Sequence, residues 1–92
     1  MLQVPKLTII MPVYNTAQYL PRAFDALLKQ VNKAFKLIVV DDGSTDNSVE
    51  VAQSYASRFP YFKLIQKENG GPSDARNVGI KYIDTPYVTF HD

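Results

Sequence analysis

Cysteine is absent from this 92-residue chain. That excludes disulfides and thiolate metal sites and is compatible with a reducing compartment. An excess of charge is also missing: ten Lys and Arg stand against nine Asp and Glu, a net charge of +1. The balance gives neither a basic footprint for nucleic acid nor an acidic tail. No apolar run is long enough to cross a bilayer; Leu7–Val13 is far too short and contains Pro12. Residues 1–6 do not read as a signal peptide, so none is expected, and residues 1–92 show no internal repeat, low-complexity stretch or linker. What is present is 46% hydrophobic and 12% aromatic residues, enough for one small globular domain over residues 1–92.

The hydrophobic pattern reads β-α-β-α-β-α-β. Leu7–Val13 is the first strand, after a leader over 1–6. The first helix carries Leu20, Ala23, Phe24, Leu27, Leu28 and Val31 on one face. Pro21 belongs in its first turn, where a missing N–H costs no helix bond, and residues 16–19 form a turn before it. The second strand is Phe35–Asp41. The second helix starts at Asp46 or Asn47, with Asn47 and Glu50 spaced for a capping box. Its expected buried face is Val49, Ala52, Ala56 and Phe59, and Pro60 stops it. Phe62–Gln66 is the third strand. The third helix, 72–83, is expected to bury Ala75, Val78, Gly79, Tyr82 and Ile83. Glycine within a helix costs about 1 kcal/mol against alanine, so Gly79 predicts close approach to the sheet. Thr85-Pro86 ends that helix, and 87–91 is the fourth strand.

Strands alternating with helices imply an α/β fold of three layers, with a mostly parallel sheet and right-handed crossovers. That topology brings Asn15, Asp41, Asp42 and Asp92 to one carboxyl edge, where open α/β sheets form ligand crevices.

Two segments at that edge carry chemistry. Leu37, Ile38, Val39 and Val40 are continuously apolar, as in a strand covered on both faces, and run into Asp41-Asp42-Gly43-Ser44-Thr45-Asp46. Paired carboxylates repel, so a ligand with hydrogen-bond donors, or a cation, would relieve them. The plainer alternative has one acid capping the turn and the other solvated. The second segment, Asn69 to Gly79, opens the third helix. Gly71 suits its N-cap and Pro72 its first position. The N–H groups left over there favour an anion such as a diphosphate, and Arg76 lies about one turn further in. An ordinary loop-to-helix junction with a solvated arginine is the alternative.

The ordered set Ile9-Ile10-Met11-Pro12-Val13-Tyr14-Asn15, Asp41 to Asp46, Asn69-Gly70-Gly71 with Ala75-Arg76-Asn77-x-Gly79, and Tyr87 to Asp92 resembles the amino-terminal half of family 2 glycosyltransferases. The resemblance covers about 7–92 and implies a GT-A fold of Rossmann-like, truncated form. It further implies a donor site for a nucleotide-diphosphate sugar, UDP first among the candidates, built from Pro12, Tyr14, Asn15, Asp41, Asp42, Arg76 and Asn77. In the family a carboxylate accepts the base imide N–H, an aromatic stacks on the base, and the arginine lies near the diphosphate and sugar. Asp92 aligns with the first acid of the metal-binding segment, implying Mg²⁺ or Mn²⁺. His91 reads as a strand residue and not a ligand.

The implied reaction is sugar transfer to a sugar, lipid or protein acceptor, with inversion by a base-activated hydroxyl. The acceptor site and general base are expected downstream, so this stretch alone is not expected to transfer efficiently. The implied location is cytoplasmic, with the inner membrane face a further possibility. Loss of downstream cover is expected to expose Tyr87, Val88 and Phe90 and to drive self-association. A non-catalytic binding or interaction module of the same fold is the competing reading. A receiver domain is disfavoured because Lys67-Glu68-Asn69 stands where the phosphoacceptor acid belongs. A dinucleotide fold lacks its glycine fingerprint, and no P-loop is present.

Overall fold

Strands β1 (Leu7–Val13), β2 (Phe35–Asp41), β3 (Phe62–Gln66) and β4 (Tyr87–Phe90) form one parallel sheet in the order β3-β2-β1-β4. The computed structural model describes residues 4–30 and 34–91. Helices α1 (Leu20–Leu28), α2 (Ser48–Ser54) and α3 (Pro72–Ile80) connect the strands, giving the expected alternation and three layers.

Side-chain alternation along the inner strands sorts the core into two halves. Ile9, Met11 and Val13 of β1 and Phe35, Leu37 and Val39 of β2 face α1 and α2. Ile10, Ile38 and Val40 face α3 and its Ala75. Both faces of β1 and β2 are thus covered, which is why these strands read as unbroken apolar runs. Phe24 is completely buried and stacks on Tyr55 at 4.8 Å, with Phe59 and Phe62 tilted beside it. Burying such a side chain stabilises the fold by about 1.5–3 kcal/mol.

The helices differ from expectation in detail. In α1, Pro21 sits in the first turn and Leu20, Phe24 and Leu27 are buried, as expected, while Val31 lies outside the described residues. The Asn47 capping box does not form. Asp46 takes that role, its Oδ1 accepting from the Ser48 N–H at 2.9 Å and the Ser48 hydroxyl at 2.5 Å. An acid one residue earlier reaches the exposed N–H with no change of backbone. The inward face of α2 is accordingly Ser48, Val51, Ala52 and Tyr55, rotated from the expected Val49-Ala52-Ala56 line. After α2 the chain tightens into a single 3-10 turn, Ala56–Arg58, which still delivers Phe59 to the core.

Helix α3 ends a turn early. The N–H groups of Lys81, Tyr82 and Ile83 bond three residues back, to Val78, Gly79 and Ile80, and this tighter winding turns Tyr82 outward. Tyr82 is 48% exposed, against the expectation of burial, with Lys63 Nζ 4.9 Å from its ring centroid. Gly79 does mark a close approach: a Cβ there would lie 2.8 Å from Ile10 Cγ2. β4 ends at Phe90, although His91 still donates its N–H to the Ile10 carbonyl at 2.9 Å. Every residue of β4 is exposed. Among the described residues no helix is long and apolar enough to cross a membrane.

Candidate functional site

The carboxyl edge is shaped first by a mismatch in strand length. β1 pairs with β4 only from Leu7 opposite Tyr87 to Ile10 opposite Phe90, but with β2 as far as Val13 opposite Asp41. The Ile10 carbonyl points to β4 and the Val13 carbonyl to β2, where it accepts from the Asp42 N–H. By alternation Pro12 faces the β4 side, beyond the last pair. A proline inside an inner strand would normally cost a ladder bond; here there is none to lose.

Asp41 and Asp42 then leave β2 in opposite directions. Asp41 turns to the α2 side, where its Oδ2 accepts the Ser44 N–H at 3.1 Å and closes the turn that follows. Its Oδ1 is buried and makes no hydrogen bond among the described residues. Gly43 makes this turn possible, with φ of 76° and no room for a side chain, since a Cβ would meet the Asn69 backbone N at 2.8 Å.

Asp42 turns to the α3 side and is only 3% exposed. Its Oδ1 accepts from Lys67 Nζ at 2.5 Å and from the Gly70 N–H at 2.9 Å. Its Oδ2 accepts from the Gly71 N–H at 2.9 Å and from Asn69 Nδ2 at 3.2 Å. Burial alone raises its pKa, but Lys67 and the two glycine amides outweigh this and hold it below the ordinary carboxyl value. Lys67 is shifted upward in turn by its bonds to Asp42 and Asp74. The expected repulsion between two neighbouring acids therefore does not arise. The strand pleat separates them, and the chain itself supplies donors to Asp42.

Asn15 stands at φ 49°, a left-handed conformation that asparagine tolerates. Its Oδ1 accepts the Thr45 N–H at 2.7 Å and the Asp46 N–H at 3.3 Å, and its own N–H goes to Ser44 Oγ at 2.9 Å. Asp46 Oδ2 accepts the Ala17 N–H, and buried Ser48 Oγ the Thr16 N–H. These bonds stitch the β1–α1 loop to the β2–α2 loop. Ser48 raised no signal in the sequence; only its position two residues after Asp46 hinted at it. The Ser48 hydroxyl above all, then its N–H, keeps the Asp46 pKa low.

A cavity of about 530 Å³ opens at this edge, lined by Pro12 and Val13 of β1 and Tyr14 just after it, by Asp42 just after β2, by Asn69 and Gly71 before α3, and by Pro72, Ala75 and Arg76 of α3. Gly71 is the N-cap of α3 and Pro72 its first residue, as the sequence predicts. Of the candidate residues, Pro12, Tyr14, Asp42 and Arg76 meet at the cavity. Asn15 and Asp41 stand behind it in the stitched loops, and Asn77 is exposed on α3 away from the lining. Asp92, the candidate metal ligand, lies outside the described residues. Tyr14 is about half exposed, and Arg76 Cζ lies 5.8 Å from the Phe90 ring centroid. Asn69 was legible as the opening of the second motif segment but not as a partner of Asp42, and Lys67 only as the residue that follows β3, the strand next to the acid pair. Among the described residues no three His, Cys, Asp or Glu side chains are grouped to hold a metal ion.

Residues 8–92 match the family described as Glycosyl transferase family 2. The chain is 41% identical over 87 residues to the uncharacterized glycosyltransferase YibD of Escherichia coli K12, covering 95% of this chain and 25% of that protein. It is 40% identical over 92 residues to the glycosyltransferase GlyA of Streptococcus pneumoniae, spanning 13% of it. Among solved structures, S. aureus TarS 1-349 superposes with a TM-score of 0.87 at 35% identity, over 95% of this chain and 27% of that one; it has also been solved with UDP-GlcNAc. The mannosyltransferase PcManGT of Pyrobaculum calidifontis, in complex with GDP-Man and Mn²⁺, superposes with a TM-score of 0.78 at 26% identity, over 88% of this chain and 25% of that one. The chain thus spans about a quarter or less of each of these proteins, and within that span it carries their GT-A fold. It belongs to glycosyl transferase family 2.

Proposed function

We propose that this chain forms the donor-nucleotide site of an enzyme that transfers a sugar from a nucleotide-diphosphate sugar to a sugar, lipid or protein acceptor. The observation that carries this is the meeting of Tyr14, Asp42 and Arg76 around one cavity beneath the start of α3. Tyr14 lines the cavity as a stacking surface for a base, and Asp42 is held charged, so that a base N–H would take the place of one of its present donors, the Asn69 amide at 3.2 Å being the longest. Arg76 and the first turn of α3 favour the diphosphate. The complexes of TarS with UDP and UDP-GlcNAc support UDP as the carrier, and the GDP-Man complex of PcManGT makes GDP the alternative.

Transfer is proposed to proceed with inversion, and no general base is assigned among the described residues, so this stretch alone is proposed to be a poor catalyst. Mg²⁺ or Mn²⁺ would neutralise the diphosphate, with Asp92 proposed as a ligand on the strength of its alignment with the family's metal-binding acid. The described residues supply no full ligand set, and no step is assigned to the ion. We further place the chain in the cytoplasm, at the inner membrane face where the acceptor is lipid-borne, and propose self-association through the exposed β4 edge. Calorimetric titration with UDP, UDP-GlcNAc and GDP tests the central reading. Saturable binding of a nucleotide is expected; no binding at millimolar concentration would favour a pure interaction module.

A further inference from the structure

Lys67 carries a charge, yet its side chain is only 13% exposed. Its Nζ lies 2.5 Å from Asp42 Oδ1 and 2.7 Å from Asp74 Oδ2, and it also donates to the Glu68 carbonyl. All three ammonium protons therefore have acceptors. The two acids belong to different elements. Asp42 directly follows β2 and lines the cavity, whereas Asp74 is in the first turn of α3, two residues before Arg76, which lines it too. The bridge passes over Gly70, where a Cβ would meet Asp74 Oδ2 at 2.5 Å and Lys67 Nζ at 3.1 Å. Lys67 itself does not line the cavity, so a ligand there does not touch it.

We propose that Lys67 is a positioning residue for donor binding: by holding Asp42 and Asp74 at once, it fixes the spacing between the carboxylate on the β2 wall and Arg76 on the α3 wall. This rests on the reading of the cavity as a nucleotide site. Exposed ion pairs contribute little, but this one is withdrawn from water on the Asp42 side, where loss of one partner strands the other. The charged and titratable groups facing Asp42 are Lys67 on the β3–α3 connection, Asp74 beyond it on α3, and Tyr14 and Arg76 across the cavity. Asp41 is turned to the other face of β2. Removing Lys67 then does two things. It loosens α3, and it lets Asp42 take up a proton at higher pH than before.

The test is UDP calorimetry between pH 5 and 8 on the wild type, Lys67→Met, Lys67→Arg and Asp74→Asn, with the Asp42 carboxyl followed by ¹³C NMR without ligand. Lys67→Met is expected to weaken binding roughly tenfold or more, to move both the acid limb of binding and the Asp42 titration to higher pH, and to be rescued in part by Lys67→Arg. Asp74→Asn, at a half-exposed site, is expected to weaken binding about two- to fivefold. Wild-type affinity and pH profile in Lys67→Met would overturn the proposal. So would weakened binding with an unmoved Asp42 titration and no rescue by arginine, the mark of a merely structural role. If Lys67→Met does not fold, Asp74→Asn decides: weakened binding supports the bridge and unchanged binding overturns it. Absence of binding in the wild type would instead defeat the nucleotide reading, and this inference with it.

Discussion

Asp41 and Asp42 are consecutive in the chain, and their carboxylates lie on opposite faces of the sheet, one closing a turn toward α2 and the other fastened to the start of α3. The two should therefore separate by mutation. Asp42→Ala is expected to weaken UDP binding by about 1–3 kcal/mol through loss of a charge-assisted bond. Asp41→Asn keeps an oxygen for the Ser44 N–H and should leave affinity within about twofold while changing the unfolding midpoint. Calorimetry on both variants checks this, and equal losses of affinity would contradict the division.

Stability should depend on pH at both ends. The Asp42 pKa is lowered on folding, so its contribution is present above the unfolded carboxyl value of about 3.9 and is lost as pH falls through the lower folded value. Lys67 is raised, so its contribution is full below the unfolded value of about 10.4 and is lost as pH climbs through the higher folded one. Urea unfolding as a function of pH should show a plateau from pH 5 to 9 that falls on either side. Replacement of Lys67 should flatten both slopes.

Gly79→Ala should destabilise although alanine is the better helix former. The new methyl would overlap Ile10 Cγ2, and overpacking of this kind costs about 1–3 kcal/mol against a helix gain of about 1. Ile10→Val in the same chain should not restore stability, since it retains Cγ2; Ile10→Ala, which removes it, should offset part of the overlap. Denaturant midpoints of the single and double variants measure this directly.

The β4 edge should recruit a second copy. Tyr87 is 67% exposed, Val88 43% and Phe90 40%, on a strand with one side unpaired. Sedimentation velocity across a concentration series is expected to show reversible association that Val88→Lys suppresses. A monomer at high micromolar concentration would refute it.

Strand positions were legible in the sequence because β1 and β2 carry apolar runs with no competing helical period. The ends of elements were less so. Tyr82 was expected inside because it continues the α3 spacing, but three-residue hydrogen bonds end that spacing before it arrives. Asn47 looked like a cap because cap residues are interchangeable on paper, whereas Asp46 and Ser48 already satisfy each other in space. For the site, Tyr14, Asp42 and Arg76 were visible as motif residues. Lys67 was not, because its role comes from following β3 alongside the end of β2, where its N–H reaches the Asp41 carbonyl, and no local pattern records that adjacency.

Pro12 has a consequence for what may enter the cavity. The side of β1 it faces is where another extended backbone would otherwise continue the ladder past Phe90. A residue with an N–H at that point would offer a donor and invite the neighbouring strand, or a stray peptide, to zip onward across the opening. Proline offers none, so the ladder lacks the donor it would need to continue there, and the cavity that Pro12 lines stays open at this edge of the sheet.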